Sequence, residues 1–120
     1  MYDHIGLKVK SIEASVRFYR AALGALGHTL HSQEQESASF GPPGAPAFWV
    51  YKAKGPVGSG IHIAFRALER SEVDRFHKVG LDAGGREHGR PGVRAEYGPH
   101  YYAAFLTDPD GNNIEAVCLR

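Results

Sequence analysis

The sequence predicts an α+β fold built from two pseudo-symmetric βαβββ modules, on three observations. First, the chain repeats itself without a gap: HIGLKVKSIEASVRFYRAALGALG from His4 lies over HIAFRALERSEVDRFHKVGLDAGG from His62, an offset of 58 residues. Second, in each copy a β-branched strand pattern gives way to apolar residues spaced three or four apart, the period of an amphipathic helix. Third, after each helix the chain breaks into short apolar runs separated by Gly- and Pro-rich turns. In the overlay His4 meets His62, Ile5 meets Ile63, Arg17 meets Arg75, Phe18 meets Phe76, Leu23 meets Leu81 and Gly27 meets Gly85, while Lys8 meets Arg66 and keeps its charge.

The elements follow in order. Tyr2–Val9 reads as a strand and Ile12–Ala25 as a helix carrying Ile12, Val16, Tyr19, Leu23 and Leu26 on one stripe. Ser11 is its expected N-cap, and Gly24 and Gly27 its stop. Short strands are expected at about Gly27–His31, Ser37–Phe40 and Ala47–Lys52, with FGPPGAP breaking the last two apart. GPVGSG, residues 55–60, is the hinge between module 1 (1–54) and module 2 (61–120) of a single domain, 1–120. The second module opens on a strand at Ile61–Ala67. Its helix is expected to be capped by Ser71, striped by Val73, Phe76, Val79 and Leu81, and stopped by Gly84 and Gly85. A short strand after Gly85 leads into GRPGVRAEYGPH, a loop long enough to be functional or mobile. Strands at Tyr101–Thr107 and Asn113–Leu119 close the chain around the turn signal DPDG.

Composition bounds the rest. The chain has 120 residues, is 42% hydrophobic and carries a formal net charge of +1. A domain of this size buries roughly two-thirds of its unfolded surface, enough for a core without disulfides. The charge is small and the arginines are interleaved with acids, so no nucleic-acid partner is expected. No apolar run approaches the roughly 20 residues of a membrane span, and the N-terminal stretch has no cleavage signal. A lone cysteine, Cys118, is expected to stay a free thiol, as in the cytoplasm.

One residue does not fit its element. Glu115 interrupts the apolar strand Ile114-Glu115-Ala116-Val117. Aligning AFWVY (47–51) with NIEAV (113–117) makes Trp49 its counterpart in the first module. His4 and His62 hold equivalent places at the start of each module, so symmetric packing offers four positions to one cavity: His4, Trp49, His62 and Glu115. Two imidazoles and a carboxylate suit a divalent ion such as Fe, Mn, Co, Ni or Zn. Three protein ligands leave positions open for substrate, and a cation offsets the cost of burying the acid. The plainer alternative is that each histidine is only hydrogen-bonded and that Glu115 faces water. His28, His31, His77 and His88 are read as surface or packing residues.

DHIGLKVKSIEASVRFYRAALGALG resembles the opening module of the vicinal oxygen chelate superfamily, which includes glyoxalase I, bleomycin and fosfomycin resistance proteins and extradiol dioxygenases. FLTDPDGNNIEAV resembles its closing motif, in which the Glu is a metal ligand. The resemblance spans essentially the whole chain. It implies paired modules whose mixed sheet forms a cup with the helices outside, His4, His62 and Glu115 as ligands, and a homodimer. It implies that Lys8, and Arg66 as its repeat partner, attract an anionic substrate. Phe105 matches the position where other branches place a tyrosine. By strand alternation Tyr101 shares that face and Tyr102 points away, while His100 sits at the strand's mouth; His100 and Tyr101 are therefore the expected proton carriers. Trp49 in place of a fourth ligand departs from glyoxalase I. The expected function is a divalent-metal enzyme acting on a small oxygen-chelating substrate, by glyoxalase-like lyase or dioxygenase-like chemistry. Its rivals are a metal-free small-molecule binding protein of the bleomycin-resistance type and a pseudo-enzyme.

Overall fold

Along β1 (Ile5–Val9), Leu7 and Val9 are buried while Gly6 and Lys8 are exposed. This alternation gives the sheet one packed face and one open face, and the computed structural model, which describes residues 1–120, keeps it through both modules. In the first, α1 (Ile12–Gly24) covers the packed face of a sheet completed by β2 (Thr29–Gln33), β3 (Ser37–Gly41) and β4 (Phe48–Lys52), in the order β1-β4-β3-β2. In the second, α2 (Arg70–Asp82) covers β5 (His62–Arg66), β6 (Arg86–Val93), β7 (Tyr102–Thr107) and β8 (Asn113–Cys118), in the order β5-β8-β7-β6. In each sheet the first strand is parallel to its neighbour and the remaining pairs are antiparallel. The two βαβββ modules are thus present. The cup is divided in the single chain into two four-stranded sheets, whose first strands, β1 and β5, are free edges.

The repeat also sets how the modules meet. α1 and α2 pack on each other. Arg17 donates to Asp82 O at 3.0 Å, and its repeat partner Arg75 donates to Ala25 O at 2.9 Å. Each helix therefore supplies a guanidinium to the unsatisfied carbonyls at the other's C-terminus, where positive charge is favoured. Phe48 and Phe65 meet edge to face across the seam, with centroids 5.5 Å apart.

Several boundaries move, each for a local reason. Ser11 caps α1 as expected, its Oγ accepting from Ala14 N at 3.1 Å. Gly27 takes a left-handed φ of 88°, and His28 N closes onto Leu23 O at 3.0 Å, so β2 starts only at Thr29. The cap of α2 is Glu69 rather than Ser71. Glu72 reaches back to accept from Leu68 N at 2.7 Å and Glu69 N at 3.3 Å, which draws the helix start upstream of Ser71. β6 is 8 residues long and extends as far as Val93, into the segment expected to be loop. It is an edge strand with register shifts around Gly89, and such a strand accommodates Pro91.

The DPDG turn is fastened to α1. Asp108 Oδ1 accepts from Asp110 N and Asn112 N, both at 2.9 Å, and Oδ2 accepts from Asn112 Nδ2 at 3.1 Å and from Tyr19 OH at 2.5 Å. Both partners are buried. Tyr19→Phe is expected to lower stability by about 2 kcal/mol, the worth of a hydrogen bond to a charged group. Burial first, then the Asp108 charge and hydrogen bond, raises the Tyr19 pKa well above its usual 10.0. The folded state thus holds that proton more tightly than the unfolded chain does. The stability this contributes is full below pH 10 and is lost as pH rises through the raised pKa. Denaturant melts from pH 8 to 11 should show an alkaline decline in the parent that is shallower in Tyr19→Phe. No helix is long and apolar enough to cross a membrane.

Candidate functional site

β8 carries Ile114 and Ala116 into the core and turns Glu115 onto the open face of the second sheet. Even there the carboxylate is only 2% exposed, because Ala64 of β5 and Phe105 of β7 flank it in register. Gly6 stands opposite Trp49 just as Ala64 stands opposite Glu115. Trp49 therefore holds, on the first sheet, the place of the acid.

Both oxygens of Glu115 are engaged. Oε2 accepts from Tyr101 OH at 2.5 Å, and Oε1 lies 3.1 Å from His62 Nε2. His62 Nδ1 lies 3.0 Å from the carbonyl oxygen of Asn113. A carbonyl only accepts, so Nδ1 donates to it and Nε2 is the nitrogen that faces the carboxylate. At that distance a proton or a cation lies between Nε2 and the carboxylate. A spacing of about 3 Å is also that of two donor atoms sharing one ion at about 2.1 Å each. A histidine whose other nitrogen donates to a backbone carbonyl is the usual arrangement behind a metal.

Around this pair lies a cavity of about 450 Å³ lined by His62, Tyr97, Tyr101, Phe105, Asn113 and Glu115. The His62 ring stacks over Phe105 at 6.3 Å, and the Arg94 guanidinium covers Phe105 at 5.4 Å while donating to Gly92 O and Arg90 O. Residue 89 must be glycine here, since a Cβ would stand 2.7 Å from the Phe105 ring. The loop beyond β6 is tied by its own backbone bonds, Arg94 N to Tyr101 O at 2.7 Å and Tyr97 N to Arg94 O at 3.0 Å. It packs Tyr97 on Tyr101 at 5.2 Å. Burial, then the hydrogen bond to Glu115, pushes the Tyr101 pKa up to about 12. Tyr102 faces the other way and donates to Asp74 at 2.6 Å.

The remaining expected residues lie elsewhere. His4 sits just before β1 with its Nδ1 2.6 Å from Asp3 Oδ1, which leaves Nε2 free and the side chain half exposed. No third His, Cys, Asp or Glu joins His62 and Glu115 within one chain. Lys8, Trp49 and Tyr51 share the open side of the first sheet: the Trp49 and Tyr51 rings are stacked 6.1 Å apart and Lys8 Nζ covers Tyr51 at 5.2 Å. Arg66 is exposed at the end of β5. His100 is exposed and does not line the cavity. Tyr97 and Asn113 line it without having been singled out. The spacing of Tyr97 and Tyr101 in a loop that turns back on itself was the available signal for the first. Asn113 Oδ1 is shielded from solvent and has no hydrogen-bond partner.

The family model of the Glyoxalase/Bleomycin resistance protein/Dioxygenase superfamily matches residues 2–116. A glyoxalase/bleomycin resistance protein from Albidiferax ferrireducens is 30% identical with a TM-score of 0.85, and the match covers 98% of each chain. A glyoxalase-related enzyme from Fulvimarina pelagi is 20% identical with a TM-score of 0.75, over 98% of this chain and 87% of that one. A glyoxalase/bleomycin resistance protein/dioxygenase family enzyme from Burkholderia phytofirmans is 15% identical with a TM-score of 0.76, over 98% of both chains. The last two likenesses are of fold alone. No curated protein matches the chain.

Proposed function

The chain belongs to the Glyoxalase/Bleomycin resistance protein/Dioxygenase superfamily, and we propose that it is a divalent-metal enzyme whose centre is completed by a second copy of itself. The observation that carries this reading is His62 Nε2 facing the Glu115 carboxylate at 3.1 Å while Nδ1 is committed to Asn113 O. His4 repeats the arrangement in the other module: Nδ1 is held by Asp3 and Nε2 is left open. The two half-sets lie on different sheets, and the free edges β1 and β5 are surfaces on which a second copy can pair. In a two-fold dimer, module 1 of one protomer stands against module 2 of its partner, so His4 completes His62 and Glu115 twice over.

A bound Fe, Mn, Co, Ni or Zn ion would polarise a vicinal diol, hydroxycarbonyl or enediolate held through two oxygens and stabilise its developing charge. Tyr101 holds a proton within hydrogen-bond reach of Glu115 and is placed to pass it to substrate. Phe105 and Tyr97 wall the pocket, and Arg66, with Trp49 and Lys8 of the facing module, receives an anionic or aromatic substrate. The buried free thiol of Cys118 supports a cytoplasmic setting. Tyr101→Phe is expected to keep metal content while lowering kcat by about 10²- to 10⁴-fold, the usual worth of a positioned proton carrier.

The stacked Trp49–Tyr51 pair supports a second reading, a protein that holds an aromatic ligand without turnover. Metal analysis of protein purified without chelator, followed by turnover screens with hydroxycarbonyl and catechol-like compounds, tests the choice. About one ion per chain with metal-dependent turnover supports the enzyme. No metal after reconstitution with each ion, together with tight binding of aromatics, would replace it with the binder.

A further inference from the structure

On the packed side of the sheets, away from Glu115, a second cavity of about 240 Å³ opens at the seam between the modules. Phe40 and Phe48 of the first sheet, Leu23 of α1, and Ile63 and Phe65 of β5 form its wall. The rings of Phe40 and Phe48 stand 6.3 Å apart, and those of Phe48 and Phe65 5.5 Å. Asp3 and His4 are exposed residues of the same lining, so the main polar group inside is His28, which is half-buried.

The chemistry of His28 is defined by what it lacks. Its Nδ1 is shielded from solvent and has no hydrogen-bond partner. Burial lowers its pKa, with Glu72 acting in the opposite sense, which favours the neutral ring. A shielded N–H without an acceptor is rarer in proteins than an under-used acceptor, so the proton belongs on Nε2. His28 lines the cavity, so that N–H is the donor it can offer a ligand there.

We propose that this cavity is a second binding site, for a small uncharged aromatic carbonyl compound. The ring would lie among Phe40, Phe48 and Phe65, and the carbonyl oxygen would accept from His28 Nε2. Size sets the class: an apolar cavity of about 150 Å³ holds benzene, so this one takes a single substituted ring. Polarity sets it further, since an ion would lose its hydration against an apolar wall whose only carboxylate, Asp3, is exposed and paired with His4. A ligand here touches both modules and would brace the seam between them.

Acetophenone and ethylbenzene, alike except for the carbonyl oxygen, provide the test. Each is titrated into chelator-treated protein by calorimetry, with amide chemical shifts mapping the site. Both are expected to bind saturably, with the largest shifts at Phe48 and Phe65 and acetophenone about tenfold tighter, the worth of one hydrogen bond. His28→Phe should bring acetophenone down to the ethylbenzene level, Ala47→Leu should fill the cavity and remove both, and Glu115→Ala should change neither. Equal affinities in the parent, or no saturable binding, would overturn the proposal. So would shifts centred on Tyr101 and Phe105, or binding lost in Glu115→Ala, because the ligand would then sit on the open face. The wild-type shift map decides this even if a variant does not fold.

Discussion

Glu115→Ala is expected to strip the protein of metal and turnover together while leaving it folded. Glu115 brings the only negative charge to the proposed ligand set, and no lysine or arginine bridges to it; its oxygens meet only His62 and Tyr101. Replacing an outer-shell partner of a metal ligand already costs about 10- to 100-fold in metal affinity, and loss of a ligand should exceed that. The fold should survive, because the residues on either side, Ile114 and Ala116, keep their place in the core. Thermal melts separate these effects. Metal should raise the parent's Tm by linkage and leave that of Glu115→Ala unmoved. A variant that keeps full metal content would remove Glu115 from the site.

His4→Ala should produce the same loss from the other module. The chain holds His4 on the first sheet and His62 and Glu115 on the second, with no third ligand type beside that pair. If the centre spans two protomers, removal of His4 empties it although every other ligand is intact. Metal and association are then linked. Dilution below the dimer's dissociation constant should release metal, and metal should tighten the dimer by the same free energy. Sedimentation with and without the ion measures both. A metal-loaded monomer would contradict this directly.

The parts of this account legible in the sequence are those that the repeat encodes. The offset of 58 residues places His4 on His62 and Arg17 on Arg75, and the observed register places Trp49 on Glu115. Period-two alternation separated Tyr101 from Tyr102, because a strand residue and its neighbour must face opposite ways. Other features depend on contacts that local pattern does not carry. Ser71 has the composition of a cap, yet Glu72 folds back past it onto Glu69 and Leu68. Gly89, Pro91 and Gly92 read as loop, but bulges and a free edge let them continue β6. His28 reads as a packing residue, and only the meeting of two modules puts it in a cavity. Symmetry shows that four positions are equivalent in pairs; whether they meet within one chain or between two depends on how the hinge sets the sheets.

The most direct test of the central claim mixes two inactive variants, His4→Ala and Glu115→Ala, and measures metal bound after subunits exchange. In a mixed dimer one site inherits both substitutions, and the other is built from an intact module of each chain. The account predicts that metal, absent from either variant alone, returns to about a quarter of the sites at equal mixing. A mixture that stays as empty as its components, despite demonstrated exchange, would contradict a centre shared between protomers.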